Sequence, residues 1–114
     1  MTYEEINQMV AEIAETCGCE YGYYAVDSET TTKVPYLLFL MATNTDTYAD
    51  DENYCEKVAL AIEYDTADRS IDDEKEIEAI LRSHDLTYAK TTATVDGQHV
   101  HQVMYEMEVF INAE

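Results

Sequence analysis

Apolar residues recur at Ile6, Met9, Val10, Ile13 and Cys17, a spacing of three and four that forms one stripe along a helix. Thr2-Tyr3-Glu4-Glu5 precedes the stripe as a capping box. The Thr2 hydroxyl can accept from the Glu5 amide while the Glu5 carboxylate accepts from the Thr2 amide. Gly18 stands where a C-terminal cap belongs, so the pattern predicts a helix over about Tyr3–Cys17. A second stripe at Ile77, Ile80, Leu81 and His84 follows Ser70-Ile71-Asp72-Asp73, whose acids suit the positive end of a helix. It predicts a helix over about Ile71–His84.

The remaining pattern alternates. Glu20–Val26, with Tyr21, Tyr23 and Tyr24, is short and aromatic and reads as a strand, and Asp27–Lys33 is a polar loop. Tyr36-Leu37-Leu38-Phe39-Leu40-Met41 is apolar in both phases of the alternation, as in a strand covered on both faces. Pro35 fits at its start, where a missing amide costs least. Thr43–Tyr54 is acidic and polar, a long loop. Val58, Leu60, Ile62 and Tyr64 then face one way, and Lys57, Ala59, Ala61 and Glu63 the other. Leu86–Val95 and Gln98–Ile111 flank Asp96-Gly97, a type I′ turn pair, and form a hairpin. In its second strand Val103, Tyr105, Met107, Val109 and Ile111 share one face, with Met104, Glu106, Glu108 and Phe110 on the other.

The order is therefore α-β-β-β-α-β-β. Each helix has one apolar stripe, so both are expected on the same face of a mainly antiparallel sheet of four to five strands. The chain reads as a single α+β domain over residues 1–114, an open two-layer sandwich. Its last strand is predicted to run about 12–14 residues, against about five or six in an average strand. The sheet face away from the helices is expected to carry Met104 and Phe110, together with Leu37, Phe39 and Met41. Monomers seldom leave large contiguous apolar patches in water. This face, or the projecting hairpin, is thus expected to be covered by a neighbouring subunit.

Composition narrows the function classes. Of 114 residues, 46% are hydrophobic, which supports one packed core and argues against intrinsic disorder. No apolar run approaches the roughly 20 residues of a membrane helix, and the amino-terminal residues show no secretory pattern, so a cytoplasmic protein is expected. Acidic residues number 25 against six basic ones, a net charge of −19. Binding nucleic acid through its phosphates requires Lys and Arg to displace counterions, so stable binding of DNA or RNA is not expected.

Candidate chemistry is sparse. His99 and His101 share a strand face, and Cys17-Gly18-Cys19 could offer two thiolates, but neither has the spacing of a structural zinc site. Cys17, Cys19 and Cys55 read mostly as buried, reduced thiols. Asp50-Asp51, Asp72-Asp73 and Glu106 with Glu108 are carboxylate pairs that nothing isolates in a pocket, so they read as solvated faces. The acidic loop lacks the glycine and terminal glutamate of a calcium-binding EF-hand. No activated Ser or Cys nucleophile and no phosphate-binding glycine loop is apparent. No catalytic residue, metal or cofactor is assigned, and the chain is not expected to be an enzyme. The ten tyrosines are more informative. Tyr64 and Tyr105 sit on apolar strand faces and belong to the core, whereas Tyr48 and Tyr54 in the acidic loop suit a protein interface.

Several segments taken together resemble the small tail terminator proteins of phages and prophages. They are the helix-first order, Pro35-Tyr36-Leu37-Leu38-Phe39-Leu40, and Tyr48-Ala49-Asp50-Asp51 ahead of Val58-Ala59-Leu60-Ala61-Ile62-Glu63-Tyr64-Asp65. Glu76-Ile77-Glu78-Ala79-Ile80-Leu81, Tyr88 and Met104-Tyr105-Glu106-Met107-Glu108-Val109 extend the resemblance over nearly the whole chain. It implies a structural role without an active site: a ring, commonly a hexamer, that caps the tail tube, stops its polymerisation and joins the head. The implied partners are further copies of the chain, the tail tube protein and the head–tail connector. The family carries no point motif, so Tyr48, Asp50, Asp51, Tyr54, Met104 and Phe110 are candidate interface residues only. Carboxylates lining the ring's bore would let DNA slide without gripping it. Two other functions compete: an acidic DNA-mimicking inhibitor of a nucleic-acid-binding enzyme, and a small metal- or ligand-binding domain resting on the histidine pair.

Overall fold

The structure, a computed structural model, describes residues 1–23, 34–43, 55–95 and 100–112. Seven elements follow in the expected order: α1 (Tyr3–Cys17), β1 (Glu20–Tyr23), β2 (Tyr36–Thr43), β3 (Cys55–Thr66), α2 (Ile71–Ser83), β4 (Tyr88–Val95) and β5 (Val100–Asn112). The strands form one sheet in the order β1-β2-β3-β5-β4. Only the β1–β2 pair is parallel, and the other three are antiparallel. The fold is α+β, with a five-stranded mixed sheet and both helices on one of its faces.

Local chemistry sets the helix ends. The capping box at Thr2 and Glu5 is formed, and the Ser70 hydroxyl caps α2 by accepting from the Asp73 amide at 3.2 Å. Both helices end in the same paired-carbonyl arrangement. Gly18 and Cys19 donate to Glu15 and Ala14, and Asp85 and Leu86 donate to Arg82 and Leu81. This turn needs a left-handed residue, Gly18 at φ 68° in the first case and Asp85 at φ 60° in the second. A Cβ is disfavoured there, so Asp85→Gly should raise the unfolding free energy by about 0.5–1 kcal/mol, read from urea denaturation.

The core lies between helices and sheet. Ile6, Met9, Val10, Ile13 and Ala14 of α1 and Ile77, Ile80 and Leu81 of α2 are buried against Leu37, Phe39, Val58, Leu60, Ile62, Tyr64, Val103, Tyr105, Met107, Val109 and Ile111. Each fully buried large side chain contributes about 1.5–3 kcal/mol. His84, expected on the α2 stripe, instead lies past the helix end, exposed, with Nε2 3.9 Å from a carboxylate oxygen of Glu12.

Register corrects the expected composition of the far face. Leu37, Phe39 and Met41 pair with Tyr64, Ile62 and Leu60, so they point toward the helices. Leu38 and Leu40 hold the outer phase of β2, opposite Glu63 and Ala61. Because this strand is apolar in both phases, only its pairing with the amphipathic β3 decides which set turns inward.

A buried charge cluster ties α2 to the sheet. Glu74, only 2% exposed, receives Arg69 Nε at 3.0 Å and Lys90 Nζ at 2.7 Å. Lys90 also reaches Glu78 at 2.7 Å and lies 5.9 Å from the centre of the Tyr105 ring. The Tyr105 hydroxyl donates to Glu78 at 2.9 Å, and Tyr64 donates to Asp73 at 2.6 Å. Both core tyrosines thereby satisfy their hydroxyls on carboxylates of α2.

Candidate interaction surface

The sheet is much longer than the helices can cover. β3 has 12 residues and β5 has 13, and the molecule extends 50 Å along its longest axis against 28 and 21 Å across. Its radius of gyration, 15.0 Å, exceeds the roughly 13 Å of a compact chain of this length. The outer face of the sheet meets no other described element.

Along that face β2 contributes Tyr36, Leu38, Leu40 and Ala42; β3 contributes Lys57, Ala59, Ala61, Glu63 and Asp65. From β5 come Gln102, Met104, Glu106, Glu108 and Phe110. Leu38 and Leu40, Ala61 and Met104 surround a depression of about 340 Å³ bordered by Glu63 and Glu106. Leu38 is buried on its floor, while Leu40 remains 39% exposed on its rim. Gly22 of β1 adjoins Tyr36, and a Cβ there would stand 2.7 Å from the Tyr36 hydroxyl oxygen, so the glycine lets that ring lie flat across the edge.

Of the residues expected at an interface, Met104 and Phe110 both lie on this face, but the structure does not bring them together. Six positions apart on one strand, they stand about 20 Å from each other. Met104 is half-buried in the apolar depression, whereas Phe110 is 58% exposed near the far end, opposite Lys57. Tyr48, Asp50, Asp51 and Tyr54 lie outside the described residues, as do His99 and the Asp96-Gly97 turn. Leu38, Leu40 and Ala61 were not singled out from the sequence. Their small or aliphatic side chains mark a face only once register is known.

Glu63 and Asp65 form an acidic pair at one end of the face. Asp65 is 3% exposed and its Oδ1 has no partner among the described residues, while Glu63 accepts from Gln102 Nε2 at 3.2 Å. Burial, then a hydrogen bond and charge from Glu63, push the Asp65 carboxyl up to about 8. Asp65 therefore holds its proton at neutral pH and can donate to Glu63 in place of repelling it.

The thiols are unsuited to nucleophilic chemistry. Cys17 and Cys19 are free and half-buried, less enclosed than expected, and the Cys55 side chain falls outside the described residues. Burial and the nearby Asp73 carboxylate push Cys17 up to about 12 and Cys19 up to about 11, so both stay protonated. Among the described residues, no three His, Cys, Asp or Glu side chains converge as metal ligands.

Carboxylates stand on both sides of the molecule, with Glu63, Asp65, Glu106 and Glu108 on the outer sheet face. Glu4, Glu5, Glu12 and Glu15 of α1 and Asp72 and Glu76 of α2 are exposed on the helix layer. The apolar depression on the sheet and the acidic helix layer thus lie on opposite sides of the molecule. No family model matches the chain, and comparison with the curated proteins returned no match.

Proposed function

We propose that this protein is a structural component of a phage or prophage particle, resembling tail terminators: an oligomeric ring that caps the tail tube and joins it to the head. The observation that supports this reading is the outer sheet face, where Leu38, Leu40, Ala61 and Met104 form an apolar depression that the two helices leave uncovered. Subunit contacts through such a face remove it from water, and the resulting interface needs no catalytic residue. The acidic helix layer supplies carboxylates for a DNA path on the other side, where they repel phosphates.

The test uses tubes polymerised from a phage or prophage tail tube protein. Adding the protein should stop tube lengthening, and electron microscopy should show it as a cap at tube ends. Tubes that lengthen at an unchanged rate with bare ends would contradict the proposal. A DNA-mimicking inhibitor is the second reading, favoured by the exposed carboxylates of α1 and α2. It predicts stoichiometric capture of a DNA-binding enzyme and no effect on tubes.

A further inference from the structure

The two sides of the sheet treat their unpaired strand edges differently. Among the described residues β1 pairs with β2 as far as Phe39, and past that pair the Tyr23 hydroxyl donates to the Met41 carbonyl at 2.8 Å and accepts from the Met41 amide at 3.0 Å. That edge is closed by the chain's own side chain. On the other side, β4 pairs with β5 only up to Met107, so Glu108–Asn112 has β3 on one flank and no described strand on the other. The Phe110 carbonyl accepts from the Met1 nitrogen at 3.2 Å, so it points outward, away from β3. Backbone groups alternate in direction along an antiparallel strand, hence the amides and carbonyls of Glu108 and Asn112 point outward too.

This edge opens onto a groove of about 910 Å³ between the start of α1, the α2–β4 connection and β5. Leu86, Tyr88, Met107 and Val109 give it an apolar lining, and Asp85 and Glu106 border it together with Glu5, which accepts from the Thr2 amide, and Glu108, which pairs with Lys57 at 3.1 Å. Positive charge in the groove comes from His84 and from the Met1 ammonium, which holds the Phe110 carbonyl and which an added strand would displace. The segment Glu108–Asn112 is about 17 Å long, enough for four or five residues of an added strand in line with β4.

We infer that the β5 edge at Glu108–Asn112 takes up an extended, Lys/Arg-bearing segment of another protein by strand addition. An exposed edge beside a groove is the arrangement that main-chain pairing uses for affinity, with side-chain contacts giving specificity. The carboxylates select the partner's charge, and they disfavour a second copy of this chain, whose net charge is −19. The site does not depend on the ring reading, because main-chain pairing at the strand edge needs no contact through the apolar depression, although Glu106 borders both.

The probe is a terminally blocked seven-residue peptide alternating Lys and Val, titrated into the intact protein at low salt. Amide hydrogen exchange and chemical shifts are followed at Glu108–Asn112. Binding should slow exchange at Glu108 and Asn112. Methylating alternate peptide nitrogens, or replacing the peptide's Lys by Glu, should weaken binding by about tenfold or more. The double variant Asp85→Asn, Glu106→Gln, at two exposed positions, should weaken it about fivefold without changing the thermal midpoint. Unaltered exchange at this edge up to millimolar peptide would overturn the proposal. So would equal binding of the methylated or Glu-bearing peptides, or self-association of the protein through this edge.

Discussion

Replacing Lys90 by Met should lower the unfolding free energy by about 2 kcal/mol and the thermal midpoint by about 10 °C. Lys90 Nζ lies 2.7 Å from both Glu74 and Glu78, and Glu74 is almost wholly buried. Removing one member of a buried ion pair leaves the other charge without compensation, at about 3–5 kcal/mol in a fully buried case. Here Arg69 stays on Glu74 and the Lys90 side chain keeps 30% of its exposure, so the lower figure applies. Glu78→Gln in the Lys90→Met background should restore part of the loss, because Glu78 is the carboxylate that loses its cation while Glu74 keeps Arg69.

The pH dependence follows from opposing shifts. Burial raises Glu74, but hydrogen bonds and charge from Arg69 and Lys90 outweigh it and hold the carboxyl below its ordinary 4.5. Its contribution is present above that value and lost as pH falls. Burial lowers Lys90, but Glu74 and Glu78 outweigh it and hold the ammonium above its ordinary 10.5, so its contribution is present below that value and lost as pH rises. The gap between wild type and Lys90→Met should therefore be flat across the neutral range and close at both extremes. A variant within about 0.5 kcal/mol of wild type at neutral pH would show that the cluster is not coupled to folding.

Asp65→Asn should act in the opposite direction, stabilising the protein by almost nothing at pH 4 and by an amount that grows to several kcal/mol by pH 8. The folded state holds the Asp65 proton up to about 8, whereas the unfolded chain releases it near 3.8. Between those values the folded state binds more protons, so wild-type stability falls as pH rises. Asparagine keeps the donor to Glu63 and has no proton to lose. Urea denaturation of both proteins at several pH values isolates this site from the general effect of the acidic composition. A stability difference that stays constant with pH would refute the assignment.

Much of the fold is readable in the chain because local and tertiary preferences agree. The α1 stripe, its capping box and Gly18 all specify Tyr3–Cys17, and the structure has those bounds. Tyr64 and Tyr105 sit in the core as their strand phases require. The unreadable parts depend on pairing across distance. β2 is apolar in both phases, so its inward set follows from β3 register alone. Nothing local says that β1 runs parallel to β2 or that β3 lies beside β5. Glu74 and Lys90 look like ordinary surface charges in the sequence, since their pairing requires α2 to pack over β4. The surface was partly legible: Met104 and Phe110 fall on the outer face, but their separation into an apolar depression and an exposed far end appears only with the sheet built.

The two faces also set the conditions for assembly. A molecule with net charge −19 repels its copies at low ionic strength, over a range of about 8 Å at physiological salt. Screening therefore favours contact through the apolar sheet face. Sedimentation velocity at tens of micromolar protein in about 0.5 M salt tests the central claim most directly. The wild type should sediment as a discrete oligomer, and Leu40→Lys with Met104→Lys as a monomer of unchanged thermal midpoint. A wild-type monomer under these conditions and in the presence of tail tubes, or an oligomer that the two lysines leave intact, would contradict the account.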